Sequence, residues 1–189
     1  MKNPDSPLRY FIFHKPYGVL SQFTPEDGAR SLAEFGFPPD VYPAGRLDKD
    51  SEGLLLLTND GPLIQRLLEP RFDKEKTYWV QIERIPSPEA LAKLAAGVKI
   101  QDYQTLPCKA LLIDDPGFPP RDPPIRVRQT VPDCWLEIRL REGKNRQVRR
   151  MTAAIGHPCL RLVRVATGKL TLGDLPPGEW REISRDDVL

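Results

Sequence analysis

The sequence predicts an α+β protein built on an antiparallel-rich mixed sheet with flanking helices. Three observations predict it. Short stretches with period-two alternation or dense β-branched and aromatic content outnumber helical ones. Only three segments carry helical spacing, each with its own start or stop signal. The chain also holds 21 prolines in 189 residues, about twice the usual share, which leaves little room for long helices.

The elements follow in order. Residues 9–15 (RYFIFHK) have strand composition, and Pro16-Tyr17-Gly18 breaks the strand. The apolar run 54–57 has the length of a buried strand. Asn59-Asp60-Gly61-Pro62 turns into a helix capped by Asp60, with Leu63, Ile64, Leu67 and Leu68 at 3/4 spacing and Pro70 as its stop. Residues 76–83 (KTYWVQIE) alternate, with Tyr78, Val80 and Ile82 on one face and Trp79 on the other, as core or lobe interface. A helix over 87–96 takes Ser87 as cap, Pro88 at its first position and Gly97 as its stop. Strands are expected over 109–113 and 125–130, joined by a rigid loop (114–124) with five prolines that is either a connector or a contact surface. Residues 135–140 (WLEIRL) alternate cleanly. Residues 145–155 place Val148, Met151, Thr152 and Ile155 on one helical face, closed by Gly156. Short strands over 160–165 and 169–172 complete the set. The Pro-rich loop and the stretch 71–76 are expected to divide the chain into two lobes of a single domain.

Composition excludes several function classes. The run 54–57 falls far short of the ~20 apolar residues of a membrane span, and the N-terminus lacks the apolar region of a signal peptide. Cys108, Cys134 and Cys159 are odd in number and widely spaced, and the histidines are His14 and His157. A zinc site or a disulfide framework is therefore not expected, and reduced thiols point to the cytoplasm. His157, between Gly156 and Pro158, reads as a helix-end structural residue. His14 either touches a ligand or packs.

The net charge of +2 hides its distribution. Residues 137–172 hold nine basic and two acidic side chains, whereas 173–189 hold two basic and five acidic. A concentrated basic segment is the footprint of a polyanion partner, or else a solvated helix face. Its centre, EGKNRQVRRM (142–151), opens a helix with Arg146, Arg149 and Arg150. Cations there oppose the helix dipole, so they point to a negative ligand. Earlier, GRLDKDSEGLLLLTNDG (45–61) sets Asp48 in a Gly-flanked loop leading to a buried strand, where it is either catalytic or a polar turn residue.

These two segments, with HKPYGVL (14–20), KTYWV (76–80) and LVRVATGKLTLGDLPPGEWR (162–181), resemble in order the motifs of the RsuA-type ribosomal pseudouridine synthases. The resemblance spans nearly the whole chain. It implies the pseudouridine synthase fold, with two lobes around a central cleft, and isomerisation of a uridine in RNA. Only 13 residues precede His14, so the short type without an N-terminal S4 domain is expected, acting on large-subunit (23S) rather than small-subunit (16S) RNA.

Carried over residue by residue, the resemblance places the catalytic aspartate at Asp48, the base-stacking tyrosine at Tyr78, the arginine that pairs with the carboxylate at Arg149, and the apolar residue beneath the base at Val148. Arg146 and Arg150 are expected to hold RNA phosphates, with Arg46, Lys15 and Lys144 as candidates for the cleft rim. No metal or cofactor is implied, since the bond exchange needs no redox partner, and a monomer is expected. Two other readings stand beside this one. A non-catalytic RNA-binding or ribosome-assembly protein would bind without converting uridine. A glycosidase would use Asp48 with Asp50 or Glu52 about 5–9 Å apart around a sugar.

Overall fold

The structure, a computed structural model, describes residues 7–69, 74–126, 128 and 130–189. Their strands and helices are, in chain order, β1 (Tyr10–Lys15), β2 (Tyr42–Pro43), β3 (Glu52–Thr58), α1 (Gly61–Leu68), β4 (Lys76–Glu83), α2 (Pro88–Ala96), β5 (Lys99–Ile100), β6 (Tyr103–Gln104), β7 (Lys109–Ile113), β8 (Asp133–Leu140), α3 (Gln147–Ala154), β9 (Cys159–Thr167), β10 (Leu170–Thr171), β11 (Trp180–Ile183) and α4 (Arg185–Val188). A 3-10 turn at Leu32–Phe35 precedes β2. The class is the expected α+β, and every named strand pair with a register is antiparallel.

The chain divides into two compact units, Met1–Asp73 with Ala166–Leu189, and Lys74–Val165. One division falls within the expected hinge 71–76, of which residues 71–73 lie outside the described residues, as does the expected helix stop Pro70. The other falls inside β9. The Pro-rich loop lies within the second unit and divides nothing.

In the first unit β1 pairs with β11 on one side and β3 on the other, in register from Tyr10↔Thr58 to Lys15↔Gly53. All seven residues of β3 are buried, the pattern of a strand covered on both faces. Its core gathers Phe11, Phe13, Val19, Leu32, Val41, Leu47, Leu55 and Leu57. Trp180 of β11 stacks on Phe37 at 5.5 Å and donates its indole N–H to the Phe35 carbonyl at 2.8 Å. Asp60 caps α1 as expected: its Oδ1 accepts from the Leu63 amide at 3.0 Å, and its Oδ2 from the Tyr10 hydroxyl at 2.9 Å.

In the second unit β8 lies between β4 and β7, in register from Lys76↔Leu140 to Glu83↔Asp133 and from Lys109↔Arg139 to Ile113↔Trp135. The even-numbered residues of β4 and β8 face a core shared with α2 and α3, holding Val80, Ile82, Leu94, Leu136, Ile138, Val148 and Met151. Burying each such aliphatic side chain contributes about 1.5–3 kcal/mol. On the opposite face the Pro-rich loop packs against the sheet. Phe118 packs between Trp79 (5.6 Å) and Trp135 (5.9 Å), and the nearly buried Arg161 lies over its ring and donates to the Pro119 carbonyl at 2.9 Å.

Two boundaries differ for local reasons. α3 starts at Gln147, not 145, because Arg146 is left-handed at φ 51° and serves as its N-cap. The expected strand 125–130 is corrected: its described residues 125, 126, 128 and 130 are not strand, while Val127 and Gln129 lie outside the described residues. Alternation alone cannot make a strand without a ladder partner.

Candidate active site

In the first unit, residues 45–51 leave Gly45 at φ 103° and run without helix or strand to the start of β3. Asp48 is half-buried there. The Ser51 amide donates to the Asp48 carbonyl at 3.0 Å, and the Gly18 amide donates to the Lys49 carbonyl at 2.8 Å. The motif 14–20 thus buttresses the loop that carries the aspartate.

Lys15 belongs to this buttress and not to a rim, which corrects the expectation. Its side chain is fully buried, and its ammonium donates to the carbonyls of Pro16 (2.9 Å), Val19 (2.8 Å) and Lys49 (3.4 Å). A buried cation is tolerated where oxygen acceptors replace its water. Arg46 is exposed, with a long contact of 3.4 Å to Gln22 Oε1. Glu52 is 2% exposed within β3, so the paired-carboxylate hydrolase loses that partner for a solvent-facing site. His14 packs: it is buried, with Nδ1 2.7 Å from the Leu175 carbonyl.

In the second unit, Tyr78 stands on β4 opposite Ile138 and packs, half-buried, against the core cluster that contains Val148. The structure therefore brings Tyr78 and Val148 to one apolar body. Val148 and Met151 point α3 into that core, which leaves Arg149 and Arg150 half-buried beside it. Arg149 Nη1 lies 3.5 Å from Cys159 Sγ. Arg150 donates to Gln101 Oε1 at 2.9 Å and to Asn145 Oδ1 at 3.0 Å. These neutral partners orient the guanidinium without cancelling its charge. Arg146 is exposed, and the first turn of α3 holds no acidic residue. His157 is the expected helix-end residue, with its amide on the Thr152 carbonyl and Nδ1 3.0 Å from the Glu83 carbonyl.

Glu142 and Gln147 organise this basic stretch, and sequence reasoning counted the first only as a charge. The Glu142 carboxylate accepts from the Tyr103 hydroxyl at 2.6 Å, the Leu106 amide at 2.9 Å and the Gln147 side-chain amide. Gln147 Oε1 in turn accepts from the Lys144 amide at 2.8 Å, and the Lys144 ammonium sits 4.6 Å from the centre of the Tyr103 ring. Tyr103 and Leu106 lie 36–39 residues before Glu142, so no local spacing signals the network. Burial, then the Glu142 charge, pushes the nearby Cys108 thiol up to about 11. Among the described residues no group of three His, Cys, Asp or Glu side chains could hold a metal ion, and no helix is long and apolar enough to cross a membrane.

The comparisons with known proteins agree with the motifs. Residues 9–154 match the family model described as RNA pseudouridylate synthase. The chain is 57% identical over 173 residues to the ribosomal large subunit pseudouridine synthase E of Xanthomonas campestris pv. campestris, covering 90% of this chain and 92% of that one. It is 54% identical over 175 residues to the synthase of the same name from Vibrio parahaemolyticus, covering 93% of this chain and 74% of that one. A crystal structure of a pseudouridylate synthase superposes with a TM-score of 0.79 at 28% identity, covering 96% of this chain and 73% of that one. An Asp-bearing loop in one unit, a tyrosine and an arginine-rich helix in the other, and likeness in sequence and fold over nearly the whole chain lead to one assignment: the chain belongs to the RNA pseudouridylate synthase family.

Proposed function

We propose that the chain isomerises a uridine of large-subunit ribosomal RNA to pseudouridine, with Asp48 as the attacking carboxylate. The observation that carries the substrate is the 57% identity, over nine tenths of both chains, to a relative named for the large ribosomal subunit. Asp48, Tyr78 and Arg149 are assigned to the same bound uridine, and the two units to one catalytic domain working as a monomer in the cytoplasm.

The target base leaves its stack to react. As the N1–C1′ bond breaks, its electron pair stays with the uracil and C1′ becomes electron-poor. The Asp48 carboxylate traps or stabilises that carbon. The base turns, C5 bonds to C1′ as the carboxylate oxygen leaves that carbon, the C5 proton departs and N1 takes up a proton. Nothing is oxidised or reduced. Tyr78 offers an aromatic face to the base and a hydroxyl near its departing proton. Arg149 is assigned as the guanidinium that pairs with the carboxylate as it reacts. Val148 backs the apolar surface under the base. Lys144, Arg146, Arg150 and Arg46 are assigned to the RNA backbone, where cations set register and affinity.

Release of tritium from C5-labelled uridine in ribosomal RNA tests the reading. The unmodified protein should release it, and Asp48→Asn should release none above background. Full activity in Asp48→Asn overturns the nucleophile. Tight RNA binding without release by the unmodified protein makes it a binding protein instead.

A further inference from the structure

Asp48 has no helix or strand of its own to hold it. A reacting carboxylate on a loop needs its backbone fixed to a fraction of an ångström. The conformation at Asp48 is set by the two peptide planes that meet at its Cα. The plane that follows is held by the Ser51 amide on the Asp48 carbonyl at 3.0 Å. The plane that precedes includes the Leu47 carbonyl and the Asp48 nitrogen, and here the Ser21 side chain acts. The Ser21 hydroxyl donates to the Leu47 carbonyl at 2.8 Å and accepts from the Leu47 amide at 3.0 Å.

Bridging a residue's own N–H and C=O needs one atom that both donates and accepts, which a hydroxyl is and a methyl is not. Ser21 is 4% exposed and Leu47 is 7% exposed, with the leucine side chain in the core of the first unit. Water therefore has no ready access to replace the hydroxyl, and its loss would leave both Leu47 groups without that partner.

We propose that Ser21 is a positioning residue for the reaction, fixing through Leu47 the peptide plane from which Asp48 projects. The inference rests on Asp48 being the attacking carboxylate. Freed from Ser21, the plane can rotate, and the carboxylate sweeps out an arc without any change in the RNA contacts. The rate of the chemical step should fall while binding does not.

The test measures single-turnover tritium release from C5-labelled ribosomal RNA, and the RNA dissociation constant, for Ser21→Ala, Ser21→Thr and Asp48→Asn, at a temperature where each variant is fully folded by circular dichroism. Ser21→Ala should react at least tenfold more slowly with its dissociation constant within twofold of the unmodified protein. Ser21→Thr, which keeps the hydroxyl, should recover most of the rate. A Ser21→Ala rate within twofold of the unmodified protein, beside an inert Asp48→Asn, overturns the role of Ser21 and leaves the nucleophile standing. An active Asp48→Asn overturns the nucleophile itself. Should Ser21→Ala not fold, Ser21→Cys, with a weak donor and acceptor of similar shape, takes its place under the same twofold criterion.

Discussion

Tyr10 is a phenol buried at the start of β1, with its hydroxyl on Asp60 Oδ2. Burial first, then that hydrogen bond and the charge of Asp60, raise its pKa above the ordinary 10.0. A group whose folded pKa is raised stabilises the fold fully below its unfolded value and loses that contribution as pH rises through the folded one. Its share of stability is therefore intact below pH 10 and lost above it. Tyr10→Phe should cost about 0.5–1.5 kcal/mol at pH 8 for the missing bond, and its stability should fall less steeply than that of the unmodified protein above pH 10. Urea unfolding at a series of pH values checks both, and parallel curves would refute the coupling. Asp60 was legible in the sequence as a cap because its partner amide lies three residues on. Tyr10, 50 residues away, was not. Lys15 was misread for a different reason: its acceptors are the backbone carbonyls of Pro16, Val19 and Lys49, and a carbonyl leaves no mark on residue type.

Elements were legible where a local rule sufficed. The alternation of β4 and β8, the Ser87-Pro88 start of α2 and the apolar face of α3 all appear as the sequence indicated. The two-residue strands β5 and β6 are too short to carry a period, and β11 is a strand because β1 pairs with it. The 3-10 turn carries a local signal of its own: Ser31 and Glu34 form a reciprocal capping box. Gly97 was read as a helix stop, yet its requirement is stricter. It sits at φ 94°, and a Cβ there would collide with the Thr105 carbonyl. Thr105 is itself tied down, its hydroxyl accepting from the Val98 amide at 2.9 Å and its amide donating to the Val98 carbonyl at 3.0 Å. The turn cannot yield cheaply, so Gly97→Ala should destabilise by roughly 2–4 kcal/mol, more than the ~1 kcal/mol of left-handed strain alone. A drop in the urea midpoint without a change in slope would show it, and a neutral substitution would disprove the clash.

For the molecule as a whole, the basic segment is less uniform than its count of nine cations suggests. Arg161 is 4% exposed on the inner side of the Pro-rich loop, and Arg139 is ion-paired with Glu137 at 2.6 Å. The exposed stretch 141–146 carries Arg141, Lys144 and Arg146, and the proposed RNA-binding role of Arg146 sets binding against its backbone conformation. It is left-handed at φ 51°, a conformation that costs a side-chain-bearing residue about 1–2 kcal/mol. A glycine would relieve that strain, less about 0.5–1 kcal/mol for the entropy glycine loses on folding. Arg146→Gly should therefore be equal or greater in stability, by up to roughly 1.5 kcal/mol, whereas Arg146→Ala keeps the strain and gains nothing. Both should bind ribosomal RNA more weakly, and the slope of log affinity against log salt should flatten by about 0.7–1, the share of one phosphate contact. Titrations between about 50 and 200 mM salt separate the outcomes. A slope unchanged in both variants removes Arg146 from the RNA interface. A Gly variant less stable than the Ala variant shows that the left-handed turn is not what strains the start of α3.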